Sequence, residues 1–401
     1  MMQAKPKARE RISPVTIVER EFFTPQERDT VAKIAAAMDE LKAYFVERED
    51  VIEMMAVMKI CKQHVVELGP PGTAKSYIIE CFCKYFAGVV FFQWQFNKFT
   101  TPDEVFGHYS IPELQKGNFK RVTAGKFSEC NVFYGDEIFN ANTSILNAMN
   151  QGMNERVFEG KHIDLENVYA ATNFYPEEKS LVAFFDRFLG RLIVDDIHES
   201  ANFEQMLVSK PYVSSNWGTI SRDEMAALQA KISGVDAKQV IPIISKIREL
   251  LRIEHVEPSS RRFKWALQAL QARAILSGRE FCTQEDVWLL RNILWTDPKE
   301  IPVVEAVITK AIDPDMARIK IFYDQAIDIK KQLAPLDMKD AAANQAVAEG
   351  TQKLVQIADS IKEMREKVVM MPRVQAVAEK LEKAVREIHK EILKTKLGVA
   401  M

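Results

Sequence analysis

The stretch 65-VVELGPPGTAKSYIIECF-82 decides how the rest of the chain is read. A β-branched run enters a Pro/Gly turn, and a Lys-Ser pair opens a segment with helical apolar spacing. Strand, glycine turn and helix in that order make a phosphate cradle. The turn brings backbone N–H groups close to phosphate oxygens, and the helix aims its positive end at the same place. Gly69 and Gly72 provide the turn, Pro70 and Pro71 stiffen it, and Thr73, Ala74 and Tyr77 complete the nucleotide-binding set. Lys75 is placed to reach the β- and γ-phosphates, and the Ser76 hydroxyl to sit on Mg2+. Ala74 stands where the GxxxxGK[ST] pattern has glycine. If its φ is positive, the methyl costs on the order of 1 kcal/mol, which weakens the site without abolishing it. The bland alternative is a Gly/Pro turn with no ligand.

Two later strand ends supply the partners such a loop needs. The run 131-NVFYGDE-137 closes on Asp136 and Glu137. Asp136 suits Mg2+ held through water, and Glu137 suits polarising an attacking water, help on the order of 10²–10⁴-fold in rate. An isolated pair of this kind is a solvated turn; downstream of a phosphate loop it reads as an acid pair. Gly135, unusual in a buried strand, predicts close approach of another backbone. The run 167-NVYAATN-173 ends on Asn173, placed to bond the lytic water or the γ-phosphate from a strand between loop and acid. Its alternative is an Asx-turn before Pro176.

From 31 to 200, HVVEL (64–68), GVVFFQWQF (88–96), NVFYGD and NVYAATN alternate with amphipathic stretches such as 142-NTSILNAMNQGM-153. This predicts an α/β domain, a parallel sheet sandwiched by helices. Residues 1–30 show little periodicity and are expected to be an extended segment. From 201 to 310 the helical period takes over, as in 240-VIPIISKIRELL-251 and 261-RRFKWALQALQARAIL-276, predicting a second, all-helical domain. Residues 311–401 are rich in Ala, Glu and Lys, and Pro335 and Pro372 interrupt them, which predicts a helical hairpin or three-helix domain.

Composition narrows the function classes. At 47% hydrophobic and 27% charged residues, the chain is not mainly disordered. A formal net charge of −2 gives no whole-molecule field for nucleic acid or an anionic membrane. The basic run 5-KPKARER-11 reads as a solvated terminus. Five scattered cysteines fit thiols in a reducing cytosol, and no apolar run reaches the length of a membrane span. The expectation is a soluble, cytoplasmic protein.

Taken together, GPPGTAKS, TTPDEVFGHYSI (100–111), GDEIFNANTSILNAMNQGMNERVFEGK (135–161), AATNFYPEE, FFDRFLGRL (184–192) and SSRRFKWALQAL (259–270) resemble the MoxR branch of AAA+ ATPases, especially its RavA-like members. The likeness covers roughly residues 40–300. RavA-like proteins also carry alanine before the loop lysine. The resemblance implies an AAA+ core with a helical lid, ATP and Mg2+ as cofactors, and a homo-oligomeric ring of six subunits. Lys75 and Ser76 would be the Walker A pair, Asp136 and Glu137 the Walker B pair, and Asn173 the first sensor. Arg187 in the DRF segment is similar in position to the arginine finger, and Arg191, four residues on, is expected on the same helix face. Arg261 is similar to the second sensor, with Arg262 as its substitute. Residues 107–127 resemble the helix-2 insert and 156–165 the hairpin before sensor 1, loops that line a ring's pore. MoxR relatives act with a partner bearing a von Willebrand factor A domain on a protein client. Gly135 departs from the family's bulky residue, and residues 313–396 show no counterpart of the β-rich insertion of RavA-like proteins.

Two rivals stand beside this reading. A nucleic-acid translocase would use Lys116, Lys120, Arg121 and Lys126 with Phe119 and Phe127 on the insert. A non-catalytic scaffold ring would use the C-terminal helices to bind a partner.

Overall fold

The computed structural model describes residues 21–336, 341–367 and 372–397, so the basic run at 5–11 lies outside the described residues. The strands are β1 (Val65–Leu68), β2 (Phe91–Gln95), β3 (Val132–Asp136), β4 (Val157–Phe158), β5 (Lys161–His162), β6 (Asn167–Thr172) and β7 (Gly190–Ile193). Five of them form a wholly parallel sheet in the order β2-β3-β6-β1-β7, and β4 pairs with β5 in a separate antiparallel hairpin. Every residue of β1 and β6 is buried, as expected of parallel strands covered on both faces.

Helices α1 (Pro25–Tyr44) and α2 (Glu49–Cys61) precede the sheet. Between its strands run α3 (Lys75–Cys83), α4 (Pro102–Phe106), α5 (Ile111–Gln115), α6 (Thr143–Glu155) and α7 (Lys179–Phe185). After it come α8 (Ser200–Val208), α9 (Arg222–Lys231), α10 (Ile241–Ile253), α11 (Ser260–Leu276), α12 (Gln284–Val287) and α13 (Ile301–Ile312). The chain ends in α14 (Pro314–Leu333), α15 (Ala341–Lys367) and α16 (Pro372–Leu397). One apolar core joins the sheet to the helices through α13, while a second, made of residues such as Leu333, Val347, Leu354 and Val385, lies within the last three helices.

Two elements differ from the sequence expectation. Helix α1 begins at Pro25, inside the stretch expected to be extended. Its signal is present in 24-TPQE-27: Thr24 caps the helix, proline takes the first turn, and Glu27 returns a bond to the Thr24 N–H at 2.7 Å. Strand β7 replaces what FFDRFLGRL suggested was continuing helix. Its four residues gain their strand identity from pairing with β1, a contact that local spacing does not encode.

The sheet order places the site. From β1 the chain crosses toward β2 on one side, whereas β7 flanks β1 on the other. Ligands of parallel sheets bind at the carboxyl ends of strands where the order switches in this way. Gly69 leaves β1 at that point, so close to Val194 that an added Cβ would lie 1.9 Å from its carbonyl oxygen.

Candidate nucleotide site

The loop after β1 closes on Ala74, which caps α3 in the left-handed conformation at φ 64 and ψ 18. The methyl group therefore sits where glycine is cheaper, and the strain costs on the order of 1 kcal/mol. Thr73 is buried and donates its hydroxyl to the Pro70 carbonyl at 3.0 Å. The Lys75 ammonium donates to the carbonyls of Gly69 (2.8 Å) and Pro70 (2.6 Å) and to Thr73 Oγ1 (3.2 Å). Burial pulls its pKa down, against the opposing pull of Glu67, Asp136 and Glu137. Its contacts within the loop are neutral acceptors, which phosphate oxygens would outcompete.

Ser76, the second residue of α3, lies 3.0 Å from the Tyr134 hydroxyl on β3. Asp136 ends β3, and Glu137 follows in the left-handed conformation at φ 52. Burial raises the Glu137 pKa, the charge of Asp136 adds to it, and hydrogen bonding from Asn173 works the other way. Asn173 follows β6, the strand lying between β1 and β3, so the structure brings loop, acid pair and asparagine to one edge. Gly135 is packed by side chains rather than by another backbone. A Cβ there would meet Ile138 Cδ1 at 3.0 Å, Phe133 Cε1 at 3.1 Å and Phe96 Cε2 at 3.2 Å.

Beside the loop lies a cavity of about 490 Å³ whose walls include Tyr44, Phe45, Arg48, Tyr77, Phe203 and Met206. Its size and aromatic lining suit a nucleoside. Tyr77 accepts a bond from the Tyr212 N–H at 2.7 Å, and its ring packs on Phe45. Arg48 ties the cavity to the loop through the Thr73 carbonyl (3.5 Å) and to the sheet through the Asp195 carbonyl (2.6 Å). Gly72, Thr73, Ala74 and Tyr77 on the cavity wall are legible in the sequence, whereas Tyr134, Tyr44, Phe45, Arg48, Phe203 and Met206 are not. The latter come from segments as far apart as Tyr44 and Met206, and the one local cue is the aromatic pair 44-YF-45 before a helix.

The arginines fall into two kinds. Arg187 lies in the turn after α7, half-buried, with its Nε 3.3 Å from Asn150 Oδ1. Arg191 does not share a helix face with it. It lies on β7, fully buried, bonded to Asp186 (3.2 Å), to the Phe188 carbonyl (3.1 Å) and to the Trp295 carbonyl. Enclosed in its own chain, Arg191 is not placed to enter a neighbour's site, so the finger role does not fit it. Arg262 is likewise buried and bonded to Asp186 and to the Ile293 carbonyl (2.9 Å). Arg261 is the exposed member of that pair, its guanidinium 5.7 Å from the Trp265 ring centre.

The expected hairpin is β4–β5, turning through Glu159 and Gly160, both at positive φ. Arg121 fastens the helix-2 segment to it through Glu159 (2.8 Å) and also pairs with Asp103 (2.8 Å). Phe119 stands 82% exposed on that segment.

Comparison with known proteins agrees with this geometry. Residues 32–230 match the family described as the MoxR domain in the MoxR-vWA-beta-propeller ternary systems, and residues 239–308 match the AAA lid domain. Two uncharacterized proteins of Methanocaldococcus jannaschii, MJ0079 and MJ0812, are each 33% identical to the chain. The first alignment covers 77% of this chain and 82% of the relative, the second 68% and 74%. A crystal structure of a candidate ATPase from Cytophaga hutchinsonii shares the fold at a TM-score of 0.58 and 19% identity, covering 71% of this chain and 96% of that one.

Proposed function

The chain belongs to the MoxR-type AAA+ ATPases, and on that premise we propose that it assembles into a ring, six subunits being the expected number, and hydrolyses ATP between neighbours to remodel partner proteins. One observation carries the assembly. Arg187 precedes the first residue of β7, Gly190, which lies level with Val65, whereas the phosphate loop follows the last residue of β1. A four-residue strand, ~13 Å long, separates the two edges. An arginine at the amino-terminal edge therefore serves a nucleotide on an adjoining chain. Arg261, next to the Arg262 that grips the same turn, is offered to that neighbour too.

The donor set fits ATP with magnesium. Two oxygen ligands, Ser76 Oγ and the Asp136 carboxylate, suit a hard cation that keeps several waters and takes its other ligands from phosphates. Among the described residues no cluster of three or more His, Cys, Asp or Glu makes a separate metal site. Bound there, magnesium would neutralise charge on the β- and γ-oxygens. Lys75 exchanges its loop carbonyls for phosphate oxygens, and Tyr134 fixes the Ser76 hydroxyl. Glu137 accepts a proton from the attacking water, which Asn173 orients. Arg187 of the adjoining chain stabilises the charge that develops as the γ-phosphoryl leaves.

The inserts support a protein client over nucleic acid. Lys116 pairs with Glu113, Arg121 with Asp103 and Glu159, and Lys126 donates to the Glu104 carbonyl, so three of the four cations a translocase would use are engaged within the chain. The matched family's description supports a von Willebrand factor A partner. The alanine before Lys75 and the TPDEVFG segment support the RavA-like branch, whose members share that partner type. Five buried, unbridged cysteines support a cytoplasmic setting, and among the described residues no helix is long and apolar enough to cross a membrane.

The test is ATP turnover by the purified chain as protein concentration and assembly state are varied. Turnover should rise with assembly and vanish in Lys75→Ala through loss of nucleotide binding. A monomer hydrolysing at full rate overturns the ring, and failure to hold nucleotide with magnesium overturns the whole reading.

A further inference from the structure

Glu67 is a carboxylate inside β1, the strand that lies between β6 and β7. It is 1% exposed, flanked by Ala171 on β6 and Leu192 on β7, and neither of its oxygens has a hydrogen-bond partner among the described residues. Alternation puts it on the same sheet face as Val65, in line with Ala171 and Tyr169 of β6 and with Tyr134 of β3. That is the face α3 covers, since Tyr134 bonds Ser76 and Tyr169 packs against Phe82. The carboxyl therefore lies beneath the start of α3. The charged groups facing it are Lys75 and Arg48, which attract it, and Asp136, which repels it; Tyr134 and Tyr169 are the titratable phenols nearby. A buried, unbonded carboxylate is costly, and nothing in the packing of β1 requires an acid there.

We propose that Glu67 is a positioning residue for the nucleotide, a carboxyl beneath the phosphate loop that competes with the triphosphate for Lys75. Ionised, it draws the ammonium inward and repels incoming phosphates. Protonated, it lets Lys75 turn to the β- and γ-oxygens, so nucleotide binding takes up a proton from solvent at this residue. Burial holds the Glu67 carboxyl up to about 8 against its ordinary 4.5, which places the change in a range where affinity is easily measured. The fold then binds more protons than the unfolded chain between those values. Stability of the ligand-free protein falls as pH rises through that window and levels off above it.

The inference rests on the nucleotide reading. Its test is the affinity of the full chain for ADP between pH 7.5 and 9, with Glu67→Gln and, should that variant fold poorly, Glu67→Leu. Wild-type affinity should weaken about tenfold across the range, the equivalent of one pK unit. Either variant should hold its affinity within about twofold and also lose the fall in melting temperature between pH 5 and 8. Equal pH slopes in wild type and both variants would assign the effect to Lys75 itself and overturn the inference alone. Absence of binding by the wild type at every pH would overturn the nucleotide reading with it.

Discussion

The two edges of the sheet handle charge in opposite ways. Toward the carboxyl edge, Lys75 rests on neutral carbonyls, Glu67 has no hydrogen-bond partner among the described residues, and Ala74 and Glu137 hold left-handed backbone. At the amino edge, Asp186 is gripped by both Arg191 and Arg262, and Arg191 also donates to three backbone carbonyls. The first set is strained and open to exchange, as groups that meet a ligand must be. The second holds β7 and the lid helix α11 in fixed register. Arg187 stands one residue from that lock, its Nε 3.3 Å from Asn150 Oδ1. A rigid mount beside a half-buried cation is what the proposed presentation of Arg187 to another chain requires.

The contrast can be broken by substitution. Arg187→Ala should lower turnover by about 10³–10⁵-fold while nucleotide affinity and the melting temperature stay near wild type, measured by steady-state hydrolysis beside a binding isotherm. If turnover holds, the amino edge is structural throughout. Glu137→Gln at the opposite edge should cost about 10²–10⁴-fold in turnover and keep ATP bound. Asp186→Ala should act on stability instead, by about 3–5 kcal/mol in denaturant unfolding, because two buried guanidinium groups lose their counter-charge. A stability change below about 1 kcal/mol there would show that backbone carbonyls suffice for both arginines. The smallest effect is expected at Ala74. Replacing it with glycine should relieve the strain at φ 64 and raise the denaturant midpoint by the equivalent of up to about 1 kcal/mol, with an unchanged slope.

The features legible in the chain are those whose physics is local. A strand, a glycine turn and a helix must be contiguous to cradle phosphate, so Gly69 to Ser76 were legible in one stretch, and so were four of the five sheet strands and the acid pair closing β3. The capping box at Thr24 is equally local. Tertiary structure alone decided the rest. Strand β7 became a strand because β1 offered it hydrogen bonds, and with that Arg191 passed from a candidate finger to a buried anchor. The cavity beside the loop gathers Tyr44, Arg48 and Phe203 from separate elements, and Tyr134 reaches Ser76 across 58 residues. Whether an arginine or a glutamate is a surface charge, a lock or a working group depends on what surrounds it, and those neighbours come from elsewhere in the chain.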